Sequence, residues 1–131
     1  MRISTALWGE MTRHLDGCLP EEGCGLIGGA GETARLVLPV TNSLHSPVRF
    51  RMDAAEQLAG FLRLEAEGLD WTAIYHSHPN GPETPSYTDL NEFAYPESAA
   101  LITTPDERGW KARAFLIRDG VFEEIELRIE T

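Results

Sequence analysis

Residues 71–76 form an apolar run rich in β-formers, and it leads into the sequence His76-Ser77-His78-Pro79. A run of that kind belongs in the middle of a sheet, so the rest of the chain has to supply strands beside it and helices over it. Cys24-Gly25-Leu26-Ile27-Gly28-Gly29 reads as a short buried strand, followed by a glycine turn and a second strand near residues 34–40. Residues 48–52, 99–103, 111–118 and 121–129 read as further strands, the last two joined by Asp119-Gly120, a strong hairpin signal. Ile3, Leu7, Met11 and Leu15 recur every four residues and put an apolar stripe on a first helix, which Gly17 and Pro20 end. A second helix is expected from Asp53, with Glu56 completing a capping box, to about Glu67, with Gly68 closing it. A short helix spans about residues 88–93 and stops before Pro96. Helices packed on a mostly antiparallel, mixed sheet make an α+β fold.

The length of 131 residues fits a single domain covering 1–131, large enough to bury a core without a structural metal. Any bound metal is therefore expected to serve chemistry. The formal net charge of −10 argues against a nucleic-acid partner, whose phosphates need Lys and Arg. Cys18 and Cys24 make neither a disulfide framework nor a CxxC pair; a reducing, cytoplasmic setting is expected, with a Cys18–Cys24 bridge as the less favoured alternative. The first residues lack the pattern of a signal peptide, and no apolar stretch approaches the roughly 18 residues of a membrane span. No membrane partner is expected.

The chemistry concentrates between residues 76 and 89. In a strand, residues two apart point to one face, so His76 and His78 can lean toward a single metal ion while Ser77 points away. Asp89, in the first turn of the following helix, can add a carboxylate. Two histidines and a carboxylate with an open fourth position make the ligand set of hydrolytic zinc sites, where bound water reaches a pKa of about 7. Such a site needs a base, and Glu22, just before the strand at 24–29, is the best candidate, with Glu21 less favoured. Ser86 can donate to an oxyanion. On these residues alone, His76 and His78 read equally well as two surface histidines. Ser86 and Asp89 likewise read as a helix N-cap with a favourably placed acid. His14 and His45 read as surface or structural residues, and Trp8, Trp71 and Trp110 as packing residues. Segments 41–50 and 80–85 are expected to border a cleft.

Together, Glu22-Gly23-Cys24-Gly25-Leu26-Ile27-Gly28 and His76-x-His78-Pro79-x6-Ser86-x2-Asp89 resemble the motif of the JAMM metalloproteases, also called MPN+ or JAB. The chain is most similar in size to the compact prokaryotic members. The resemblance implies a cytidine-deaminase-like (JAB1/MPN) fold and one zinc ion per chain on His76, His78 and Asp89, with water as fourth ligand. It makes Glu22 the general base and acid and Ser86 the oxyanion donor. The implied reaction is cleavage of a peptide or isopeptide bond at or after the C-terminal Gly-Gly tail of a ubiquitin-like or sulfur-carrier protein. Within it, release of cysteine from a sulfur carrier is an alternative. A metal-free scaffold of the same family is the rival from outside the enzymes, although those lack ligand positions that this sequence keeps. Gly23-Cys24-Gly25-Leu26-Ile27-Gly28 also spells GxGxxG, but a dinucleotide site needs that motif between a strand and a helix, and here it lies within a predicted strand.

Overall fold

The apolar run at 71–76 does lie inside a sheet. The computed structural model describes residues 1–131, in the order β1 (Arg2–Ser4), α1 (Thr5–Cys18), β2 (Cys24–Ala30), β3 (Thr33–Val40), α2 (Ala54–Ala66), β4 (Asp70–Ser77), α3 (Tyr87–Glu92), β5 (Ala99–Asp106), β6 (Gly109–Arg118), β7 (Val121–Ile125) and β8 (Arg128–Glu130). The eight strands form one mixed sheet in the order β7-β6-β5-β4-β2-β3-β1-β8. β4 runs antiparallel to β2 on one side and parallel to β5 on the other.

Strand alternation divides the core between the two faces. Ala73 and Tyr75 of β4 pack with Ile27, Leu101 and Ala114 beneath Met11 and Leu15 of α1. Ile74 faces the other way, with Cys24, Leu26, Val40 and Phe61 of α2. Ala100, Ile102, Phe115 and Ile117 extend this second face toward Leu90 of α3 and Phe93. Consequently α1 covers one face, while α2 and α3 share the other. Gly25 is required by the close approach of Tyr75, whose ring would collide with a Cβ at that position. Gly25→Ala is therefore expected to cost about 1–3 kcal/mol. A thermal midpoint equal to the parent's would remove this account of the glycine.

Four local expectations need correction. Ile3 belongs to β1, so the helical stripe begins at Leu7, and Ser4 caps α1 by accepting from the Leu7 N–H. Gly17 lies within α1, which ends at Cys18 with Leu19 as its C-cap, just before Pro20. Asp53 does cap α2, but Glu56 does not close a capping box: its carboxylate instead accepts from the N–H and hydroxyl of Thr41 at 3.0 and 3.1 Å. Residues 48–52 form no strand. Only an isolated bridge joins Asn42 to Met52, and the backbone groups of Arg49 and Arg51 bond to a side chain.

The expected strand 121–129 is two strands on opposite edges of the sheet. β7 closes the Asp119-Gly120 hairpin against β6, both turn residues having positive φ, whereas β8 pairs in parallel with β1. Cys18 and Cys24 are both free, Cys24 being buried on the α2 face while Cys18 belongs to α1 on the other. No helix is long and apolar enough to cross a membrane.

Candidate metal centre

The site lies where β2 and β4 meet at the end of β4. Cys24 pairs with His76 in this antiparallel ladder. One step further, the Ser77 N–H donates to the Gly23 carbonyl at 3.0 Å, and the Gly23 N–H donates to Ser77 Oγ at 2.8 Å. The same register sets Glu22 beside His78. On the other side, the His78 N–H donates to the Thr103 carbonyl at 2.8 Å, and the Thr103 hydroxyl donates to the His76 carbonyl at 3.0 Å. Both histidines therefore hang from a backbone held by two neighbouring strands. Ser77, expected to point away, does so, and its hydroxyl is spent on Gly23.

The third group comes from α3. Ser86 and Asp89 form a reciprocal capping box: the Ser86 N–H donates to Asp89 Oδ2 at 2.9 Å, and the Asp89 N–H donates to Ser86 Oγ at 3.1 Å. The cap fixes the carboxylate against the imidazoles. Asp89 Oδ2 lies 3.0 Å from His78 Nε2 and 3.4 Å from His76 Nε2, and the two Nε2 atoms are 3.0 Å apart. Ligands about 2.0–2.1 Å from a shared tetrahedral centre stand about 3.3 Å from one another. The His78 Nδ1–H donates to the Pro82 carbonyl at 2.7 Å. Because a carbonyl only accepts, this bond fixes Nδ1 as the donor and turns Nε2 inward, where it shares a proton with Asp89 or, once that proton is lost, offers its lone pair to a metal. The donor set fits a divalent transition metal.

Glu22 is 4% exposed, and one carboxylate oxygen, Oε1, has no hydrogen-bond partner. Its carboxylate stands within 4.8 Å of ligand atoms of both His76 and His78. Burial raises its pKa to about 7; His78 opposes the rise and Asp89 adds to it. Asp89 behaves oppositely: although burial favours its protonated form, hydrogen bonds from His76 and His78 hold it far below the ordinary carboxylate range. Two buried acids thus have widely separated proton affinities, the pattern expected of groups with different tasks. Burial lowers the pKa of His76, which suits a neutral ligand. Its ring stacks on Phe50, with centroids 4.4 Å apart.

All five residues singled out from the sequence, Glu22, His76, His78, Ser86 and Asp89, come together here. Glu21 turns outward to His45, 3.2 Å away. His14 is structural, its Nδ1 lying 2.8 Å from the Tyr75 hydroxyl. Trp8, Trp71 and Trp110 are half-buried against the cores. Phe50 and the anchoring role of Ser77 escaped the sequence reading, since an apolar loop residue and a serine between two histidines carry no local signal. A cavity of about 390 Å³ opens beside Asp89, lined by Arg49, Phe50, Met52, Gln57, Phe93 and Tyr95 among others. Segment 41–50 borders it through Arg49 and Phe50, while segment 80–85 supplies the Pro82 anchor of His78.

The family described as prokaryotic homologs of the JAB domain matches residues 4–117. The chain belongs to the prokaryotic JAB family. A relative in Thermus thermophilus, described as a probable TtuB-protein conjugate cleaving protease, is 36% identical to this JAB chain over 119 residues, covering 90% of this chain and 76% of the relative. The CysO-cysteine peptidase of Mycobacterium tuberculosis is 30% identical over 125 residues, covering 93% of this chain and 86% of the peptidase. Among solved structures, a Desulfitobacterium hafniense protein superposes with a TM-score of 0.88 at 30% identity, covering 99% of this chain and 93% of that one. The JAB1/MPN domain protein of Archaeoglobus fulgidus shares the fold, with a TM-score of 0.64 at 22% identity and full coverage of both chains.

Proposed function

We propose that this chain is a zinc-dependent peptidase that hydrolyses an amide bond at or after the C-terminal Gly-Gly tail of a ubiquitin-like or sulfur-carrier protein. The observation that carries the reading is the convergence of one strongly acidic carboxylate, Asp89, and one proton-binding carboxylate, Glu22, on the paired Nε2 atoms of His76 and His78. Relatives described as a conjugate-cleaving protease and a CysO-cysteine peptidase support the substrate class. The single sheet that includes both β1 and β8 supports treating residues 1–131 as one catalytic domain.

His76, His78 and Asp89 hold the metal in this reading. Zinc supplies a Lewis acid and a water of lowered pKa when bound. Glu22 takes the proton of the attacking water on its unpartnered Oε1 and returns it to the leaving amine, a cycle that a carboxylate with a pKa of about 7 can run in both directions. The Ser86 oxygen accepts the cap bond from Asp89, leaving its hydroxyl hydrogen for the oxyanion that forms on the scissile carbonyl. Ser86→Ala is accordingly expected to lower kcat by roughly 10²–10³. It should also cost about 0.5–2 kcal/mol of stability through the lost cap. Steady-state kinetics beside thermal melts separate the two losses, and a kcat within threefold of the parent would remove Ser86 from the chemistry.

The direct test offers the zinc-loaded protein the ubiquitin-fold carriers of its host, each bearing a lysine-linked partner or a cysteine after Gly-Gly. Mass spectrometry should record release of partner or cysteine, abolished by chelator. No cleavage of any carrier would end this reading.

A further inference from the structure

Glu22 is aimed without help at its own carboxylate, since Oε1 has no partner, so the aim has to come from the backbone. Three contacts hold that backbone. The Glu22 N–H donates to the Ser46 carbonyl at 2.8 Å, the adjacent Gly23 is clamped by Ser77, and the Glu22 carbonyl accepts from Asn42 Nδ2 at 3.0 Å. Asn42 is 6% exposed and uses its whole hydrogen-bonding capacity. Nδ2 donates a second bond to the Arg49 carbonyl at 3.0 Å, and Oδ1 accepts from the N–H groups of Leu44 and Arg51, both at 3.1 Å. A flipped amide would set NH2 against two N–H donors and an oxygen against two carbonyls, so only one orientation is satisfied. The two residues it grips on the loop, Arg49 and Arg51, flank Phe50, whose ring stacks on His76.

We propose that Asn42 is a positioning residue for the proton-transfer step: its side-chain amide pins the Glu22 backbone to the loop that carries Phe50, and so fixes where the base stands relative to the histidines. The inference rests on the reading of Glu22 as the base. It assigns a function to a segment that otherwise looks like an irregular loop. Asn42 touches no reacting atom and acts only through Glu22 and Phe50. Displacement of a catalytic group by about 1 Å costs on the order of 10²-fold in rate.

The test compares the parent with Asn42→Asp, which keeps the shape but replaces the donors facing two carbonyls by oxygen, and with the milder Asn42→Ser. Each is assayed for zinc content, thermal midpoint, kcat, KM and hydrogen exchange at individual amides. In both variants kcat is expected to fall about 10–100-fold with KM changed less than threefold and zinc at one equivalent. Exchange at the Glu22 and Gly23 amides is expected to rise at least tenfold over the parent, with amides of α1 and β5 unchanged. Should Asn42→Asp fail to fold, Asn42→Ser decides alone. A folded variant with parental kcat, or with parental protection at Glu22 and Gly23, overturns the proposal. So does a loss of zinc, or of protection across the whole sheet, equal in extent to the loss of activity, because it marks a general structural role. Inactivity of the parent on every carrier speaks against the peptidase reading instead, and the exchange measurements still decide whether Asn42 pins Glu22.

Discussion

Glu22→Gln should leave a folded protein that binds one zinc ion and turns over substrate at least about a thousand times more slowly, within the upper range for loss of a general acid–base group. The amide matches the carboxylate in shape, and the backbone bonds to Ser46 and Asn42 and at Gly23 do not involve the side chain. What disappears is the lone proton-accepting function at Oε1, which has no other partner in the site. Elemental analysis beside kcat measures both halves of this expectation, and an activity within tenfold of the parent would exclude Glu22 as the base. A second signature follows from its pKa, raised by burial from 4.5 to about 7. An acid that binds its proton more tightly folded than unfolded favours the folded state most below its unfolded pKa, and that contribution is lost as pH rises through the folded value. In chelated protein, the thermal midpoint of the parent should therefore fall relative to Glu22→Gln between about pH 4.5 and 7. A difference independent of pH would contradict the raised pKa.

His78→Ala should behave in the opposite way with respect to metal, losing zinc and activity together. Its Nε2 stands 3.0 Å from both His76 Nε2 and Asp89 Oδ2, so removal takes one corner from a three-atom set. It also frees the Pro82 carbonyl, and with it the anchor of the 80–85 loop. Zinc below about half an equivalent after dialysis against micromolar metal is expected, with kcat at background. The backbone bond from His78 to Thr103 does not need the imidazole, so a cooperative thermal transition should survive. Full zinc occupancy in an inactive His78→Ala protein would place the metal elsewhere. The contrast between the two variants, one keeping metal and one losing it, separates base from ligand.

The parts of this molecule legible in its sequence are those fixed by local chemistry. Strand periodicity turns His76 and His78 to the face opposite Ser77, and Ser86 reads as an N-cap with an acid in the first turn, which the structure extends to a full capping box. The Asp119-Gly120 turn announces its hairpin for a similar reason, since both residues adopt positive φ. Non-local choices were hidden. Nothing in residues 121–129 says that the chain leaves one edge of the sheet after Ile125 and rejoins it at the other beside β1. Residues 48–52 have the composition of a strand, yet their backbone bonds go to Asn42, Ser43 and Ser46 of the same loop, mostly to side chains, in place of a neighbouring strand. Glu22 is reached from His78 only through the register between β2 and β4. The motif points to it, whereas a separation of more than fifty residues along the chain carries no geometry of its own.

The capping box has a consequence for how such a domain diverges. Asp89 Oδ2 is held by the Ser86 N–H, and the histidines are held by strand neighbours, all through bonds within the protein. In the peptidase reading, metal capture is therefore decoupled from folding. On that reading, a descendant that loses the His76 imidazole forfeits hydrolysis but inherits the sheet and the cap. It is free to drift toward recognition of the same protein tails without cutting them.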